Sequence, residues 1–188
     1  MKKHNSNSFY VGLKIIISGE PFSIIENQFI KPGKGQSFNR VKMRNLLSSK
    51  IIEKTFRSNE FFEEANIHEL DMKFIYKSKS TWFFLDSHYE QYEVSEDIIG
   101  DNKKWIKEQD DCVVVLWNNS IILVYPPNFV ILKVVDTSPD TKNDSLSGNK
   151  LAELETGAFI KVPFFIKNNE FIKVNTKLLQ YVSRVKRS

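Results

Sequence analysis

The chain has a single cysteine, Cys112, among its 188 residues. One thiol closes no internal disulfide and offers no paired ligand for a zinc site, which fits a reducing compartment; opening a strand-like run, Cys112 reads as a small buried hydrophobe. Helical periodicity is scarce, and no apolar run approaches the roughly 20 residues that a membrane-spanning helix needs. The opening stretch from Met1 to Ser8 is polar and lacks the apolar centre of a secretion signal. A cytoplasmic protein with no membrane partner is therefore expected. Histidine is scarce too, and His4, His68 and His88 are scattered without metal-ligand spacing. No Gly-x-Ser-x-Gly elbow is present. A phosphate-binding loop fails because Gly35 follows Lys34 where Ser or Thr is required, and Gln28 stands where the first glycine belongs. Acidic residues gather between Glu60 and Glu64 and at Asp110 and Asp111, but such runs are ordinarily solvated faces. Neither an enzyme nor a bound metal or cofactor is expected.

What is abundant is aromatic and β-branched. Fifteen Phe and a hydrophobic content of 41% supply enough apolar surface to offset ordering entropy, so the chain should be folded throughout. The net charge of +4 is unevenly spread. Residues 1–64 carry 11 basic and 6 acidic groups, residues 65–128 carry 6 and 11, and residues 129–188 carry 10 and 6. Basic ends around an acidic middle suit a body that lays its ends on polyanions. Lysines number 22 against 5 arginines, so the field comes mostly from compact ammonium groups that attract phosphate without bidentate geometry.

Short β-rich runs recur between Gly, Pro, Asn and Ser turns, the rhythm of small barrels. In the first third, strands are expected over 13–18, 20–30, 37–46 and 51–57, with a hairpin turn at Ser18, Gly19, Glu20 and Pro21 joining the first two. Within the third run, Val41 and Met43 share one face while Arg40, Lys42 and Arg44 share the other, a core face backed by a basic one. The middle third offers strands at 72–76, 81–85, 89–94, 112–117 and 121–125. Its one short helix has Ser95 as a cap and Gly100 as a stop, which together suggest an OB-like barrel. Pro126 and Pro127 remove two ladder donors, which places a boundary there. The last third resumes at 129–135, crosses a polar loop over 137–150, and continues at 159–166, 170–174 and 181–185. Its size and rhythm match the middle third, so a structural duplication is expected although no sequence repeat is visible.

The informative segment is Lys31, Pro32, Gly33, Lys34, Gly35 and Gln36, between two expected strands. From Lys31 to Lys50 there are 6 basic residues and no acidic one. Gly33 and Gly35 allow positive φ on both sides of Lys34, while Pro32 stiffens the approach, so one long side chain could project from a narrow tip. Composition alone leaves open whether Lys34 is functional or merely a solvated loop lysine.

At these residues the sequence resembles bacterial translation elongation factor P. The likeness runs on through Glu53 to Phe56, Gly100, Asp101 and Asn102, the stretch from Pro126 to Val130, and the end from Tyr181 to Lys186. A C-terminal signature is also present in Lys150, Ala152, Gly157, Ile160, Val162, Pro163 and Ile166. It departs from the family at Asn169, where a glycine is usual; Asn tolerates left-handed geometry, so Asn168 and Asn169 are expected to close a hairpin.

The resemblance implies an all-β protein of three small barrels in an L-shaped, tRNA-like arrangement. Residues 1–64 form an SH3-like, KOW-like domain with the Lys34 loop, followed by OB-fold domains at 65–128 and 129–188. It implies a monomeric factor that binds the 70S ribosome between the peptidyl and exit sites, alongside peptidyl-tRNA and the messenger RNA, and relieves stalling at consecutive prolines. Lys34 would carry a β-lysyl group added by a lysyl-tRNA-synthetase-like enzyme and would then be open to hydroxylation. Pro32, Gly33 and Gly35 would support the loop. Lys31, Arg40, Lys42, Arg44, Gly100, Asp101, Asn102, Tyr181 and Arg184 would meet RNA. For the strand cations, an exposed face that binds nothing is an equal reading, and Gly100 to Asn102 is also ordinary turn chemistry. A paralogous elongation-factor-P-like protein and a general single-strand RNA-binding protein are the alternatives.

Overall fold

The structure is a computed structural model that describes residues 2–137 and 148–186. Most of the expected polar loop, residues 138–147, lies outside the described residues. The contacts divide the chain into two compact units, residues 1–70 with 114–123 and residues 71–113 with 124–188.

The first unit begins with β1 (Lys3–Asn5), β2 (Lys14–Ile17), β3 (Glu20–Ile30), β4 (Phe38–Asn45), β5 (Ile51–Arg57) and β6 (Phe61–Glu63). Strands β2, β3, β4 and β5 form one antiparallel sheet in chain order, and β1 pairs with β6 in a separate ribbon. The two-residue turn between β2 and β3 works because Ser18 and Gly19 both take positive φ, 53° and 81°, matching the strand twist. Along β4, Asn39, Val41, Met43 and Asn45 are buried while Arg40, Lys42 and Arg44 are exposed, as the period of two requires. Val41 and Met43 enter a core with Leu13, Ile15, Phe22 and Ile24. Phe9, Phe56 and Phe62 close its end as a mutually tilted trio with ring centroids 4.9–5.9 Å apart.

The remaining strands are β7 (Ile67–Ser78), β8 (Thr81–Leu85), β9 (Gln91–Ser95), β10 (Asp111–Trp117), β11 (Ser120–Tyr125), β12 (Phe129–Thr137), β13 (Asn149–Leu154), β14 (Phe159–Pro163), β15 (Phe171–Asn175) and β16 (Gln180–Val185). They form two five-stranded sheets with orders β11-β10-β7-β8-β9 and β14-β13-β12-β15-β16. Numbered from its own first strand, each sheet has the same order, fifth, fourth, first, second, third, so the expected duplication is present. It extends to individual atoms. Each first strand is bulged against its second, between Phe74 and Tyr76 in one copy and between Val134 and Asp136 in the other. At each bulge the backbone exchanges bonds with a left-handed turn: Phe74 with Gln109 and Asp110, Val134 with Asn169 and Glu170. Gln109 and Asn169 have φ of 74° and 70°. Asn169 thus takes the expected left-handed geometry, but the turn is not a hairpin, because β14 pairs with β13 and β15 with β12.

Among the described residues helix is confined to α1 (Glu96–Ile99) and short 3-10 segments, and no helix there is long and apolar enough to cross a membrane. Ser95 stands at the N-cap of α1, yet its side chain makes no capping bond, contrary to expectation; the Glu96 N–H bonds the Ser80 carbonyl instead. Gly100 ends the helix at φ +56°. Beyond it, Trp105 is only 7% exposed and packs into the C-terminal core with Val130, Leu132, Val134, Ile172 and Val174. Lys107 Nζ donates to the Ile131 carbonyl at 2.6 Å and lies 3.3 Å from Glu155. Cys112 is buried, and burial pushes its thiol up to about 12, so it is the inert core residue expected.

Candidate functional site: the Lys34 hairpin tip

The last ladder pair of the β3–β4 hairpin is Ile30 with Phe38, which leaves Lys34 at the centre of the loop 31–37, three residues from either end. Three extended residues span at most roughly 10 Å, so the tip stands clear of the sheet by no more than that. Lys31, Gly33, Lys34, Gly35 and Gln36 are exposed and Pro32 is half-buried. Among the described residues no hydrogen bond or ion pair holds the Lys34 amine. The two glycines differ in role. Gly35 takes φ +107°, with the Pro32 ring 4.0 Å from where its Cβ would stand, whereas Gly33 is outside the left-handed region and has open space around it. Only one side of Lys34 therefore needs a glycine for backbone reasons.

The root of the loop is fastened by polar groups. The Ser37 and Ser58 hydroxyls are 2.7 Å apart, and the Ser37 carbonyl accepts from both the Ser58 hydroxyl at 2.9 Å and its N–H at 3.2 Å. Next to it, buried Asn39 donates to Asn7 at 3.4 Å, and buried Ser6 donates its hydroxyl to the Arg57 carbonyl at 2.7 Å. The serine bonds hold the start of β4, and hence the hairpin, against the turn after β5, while Asn39 and Ser6 tie β4 and the end of β5 to the N-terminal segment.

The exposed face of β4 is less basic than its own sequence suggests. In register, Lys42 lies between Glu26 of β3 and Glu53 of β5. Arg40 Nε is 3.7 Å from Glu53, and with Gln28 these side chains line a shallow cleft. The strand's own outer face is basic as expected, but counting along one strand does not show the carboxylates its neighbours bring alongside. Arg44, opposite Ser23 and Ile51, has no such company.

The other candidate residues lie in the second unit. Asp101 has a side chain 98% exposed, 3.7 Å from Lys104. Asn102 points the other way and donates to the Val124 carbonyl at 2.7 Å. The segment is further held by Glu96, which accepts from Lys103 at 2.8 Å and pairs with Lys77 at 2.9 Å. Those two bonds hold its carboxyl down to about 2. Tyr181 is half-buried against the C-terminal core. Arg184 donates to Glu170 at 3.1 Å, and the Lys167 N–H, followed by Arg184, holds that carboxyl below its ordinary value. Sequence reasoning missed Ser37, Ser58 and Glu96, whose partners are distant in the chain. Among the described residues no three His, Cys, Asp or Glu side chains gather as a metal site.

Comparison with known proteins agrees with this fold. Residues 5–62 match the elongation factor P KOW-like domain, residues 67–124 its OB domain, and residues 130–184 its C-terminal domain. Among solved structures, the chain is similar to eukaryotic translation initiation factor 5A from Methanococcus jannaschii, at 20% identity and TM-score 0.52 over 65% of this chain and 93% of that one. A translation initiation factor eif-5a family protein from Naegleria fowleri is similar at 12% identity and TM-score 0.52, over 66% and 97%. With all three domain models matched in order along nearly the whole chain, the protein belongs to the elongation factor P family, whose members are translation factors and not enzymes.

Proposed function

We propose that this translation factor acts on the ribosome between the peptidyl and exit sites, using Lys34 to relieve stalling at consecutive prolines, with 1–64, 65–128 and 129–188 as its three modules. The observation that carries the reading is the Lys34 amine itself, unpartnered at the centre of a loop whose root is fastened and whose tip is exposed. Such an amine offers no acid, base or nucleophile to the reaction. Its use is to contact the backbone of the peptidyl-tRNA end and hold it in productive placement, catalysis by orientation while the ribosome's RNA performs the chemistry. A β-lysyl extension on Lys34, with or without hydroxylation, lengthens the reach and adds a second amine. Lys31, exposed in the loop, and Arg44, which faces no carboxylate in register, are the best placed phosphate contacts of this unit, and Asp101 is the freest group for a codon edge.

The test is a translation reporter with three successive prolines. Lys34→Arg keeps the charge but cannot accept the aminoacyl extension, and its guanidinium has a different shape. It should lose rescue as completely as a deletion of the factor, and full rescue by the arginine variant would refute the reading. Peptide mass spectrometry of native protein decides whether Lys34 is extended.

A further inference from the structure

Beyond the Ile30–Phe38 pair, only one arm of the Lys34 loop is fastened. Among the described residues, 31–36 make no hydrogen bond or ion pair, so the first fixed point after the amine is Ser37, with Gly35 and Gln36 between. Ser37 is tied to Ser58 by the backbone N–H at 3.2 Å and by the hydroxyls at 2.9 and 2.7 Å. A hydroxyl has a single hydrogen to give. While Ser58 donates to the Ser37 carbonyl, Ser37 therefore donates to Ser58 Oγ, and the two side chains close a ring. Ser58 stands on a turn that is itself held from outside. Buried Ser6 gives its hydroxyl to the Arg57 carbonyl at 2.7 Å and its N–H to the Glu60 carbonyl at 2.8 Å, and the Arg57 N–H bonds Glu60 Oε1 at 2.7 Å.

Ser37 and Ser58 are both half-buried. Hydroxyl bonds at such an edge replace bonds to water, so they contribute little to the stability of the module. What they change is geometry. Releasing Ser37 adds one residue of free chain beneath the apex, a play of up to roughly 3 Å. A misplacement of about 1 Å can cost a positioned group as much as about a hundredfold in rate, so the play is large on the scale that matters. We infer that Ser37 and Ser58 are positioning residues, whose hydroxyl ring fixes where the Lys34 amine stands when it meets the peptidyl-tRNA end. This rests on the reading of Lys34 as the acting amine.

The experiment measures factor-dependent formation of a proline–proline bond on 70S ribosomes as the full chain is titrated, with thermal unfolding in parallel and the state of Lys34 matched by peptide mass spectrometry. Ser58→Ala removes both hydroxyl bonds and should lower the saturating rate about tenfold, whereas Ser37→Ala removes one and should lower it less. The double variant should be no slower than Ser58→Ala, which has already opened the ring. Ser37→Thr keeps the hydroxyl and should keep nearly the wild-type rate. In all of them the half-saturating concentration should stay where it is, and the melting temperature should fall by no more than a few degrees. Ile15→Val, a core substitution in the same module with a similar effect on melting, should keep the full rate. A wild-type saturating rate in Ser58→Ala, a raised half-saturating concentration in place of the rate loss, or an equal rate loss in Ile15→Val would each overturn the inference while leaving the reading of Lys34 intact. Full rate in Lys34→Arg, or no stimulation by the wild type, would remove the reading beneath it.

Discussion

Trp105→Ala should strongly destabilise the C-terminal barrel even though the residue lies in the middle third of the sequence. The indole is 7% exposed and surrounded by residues of β12 and β15, so nearly all its surface is withdrawn from water. A tryptophan of roughly 200 Å² at about 25 cal/mol per Å² corresponds to about 5 kcal/mol, an upper figure because unfolded chains are already partly compact. Substitutions of large buried aromatics by alanine cost about 3–5 kcal/mol, which agrees. For a chain of this length that loss lowers the melting temperature by roughly 10 °C. Circular dichroism during heating gives the global figure, and amide hydrogen exchange locates it. Amides of Leu132, Val134 and Ile172 should lose protection, although they are distant from residue 105 in sequence. If the loss were below about 1 kcal/mol, or faster exchange were confined to residues 96–107, the indole would not be the plug of that core.

Two further outcomes are expected near the same segment. Asp101→Ala should leave the urea midpoint nearly unchanged, within about 0.5 kcal/mol, whereas Asn102→Ala, by stranding the Val124 carbonyl that it now bonds, should cost about 1–3 kcal/mol. Glu96 has its carboxyl lowered from 4.5 to about 2, so its contribution to stability is complete above pH 4.5 and is lost as the pH falls toward 2. Glu96→Gln should flatten the acid side of the stability profile in that window, and a side-chain carboxyl titration followed by NMR should place the wild-type midpoint near 2.

Where local patterning decides the structure, the sequence could be read closely. The bounds of β3, β5 and β8 fall where the alternation and flanking turns put them, and the two faces of β4 follow from period two alone. What escaped depends on partners. The β1–β6 ribbon uses Lys3, His4 and Asn5, residues with no strand signature, and exists because Phe61 to Glu63 lie beside them. Strand β13, with Ala, Lys and Glu among its six residues, carries no strand signature of its own, and its first two residues fall in the expected polar loop; it forms because β12 and β14 flank it. The candidate site divides in the same way. The glycine-flanked tip around Lys34 is legible in local chemistry, whereas the role expected of Lys34 comes from the family resemblance. The carboxylates beside Lys42, the Ser37 bond to Ser58 and the inward turn of Asn102 are facts of register and packing, invisible until distant segments meet.

The hydroxyl clasp beneath the Lys34 loop separates two kinds of selection. Because the apex adds no apolar surface to the interior, attaching a bulky group there opens no void and displaces no neighbour. A group added at Lys34 could therefore be attached after folding is finished, at little expense to the body that carries it, and drift at the apex other than at Gly35, whose φ of +107° needs glycine, would leave the fold's own stability nearly unchanged.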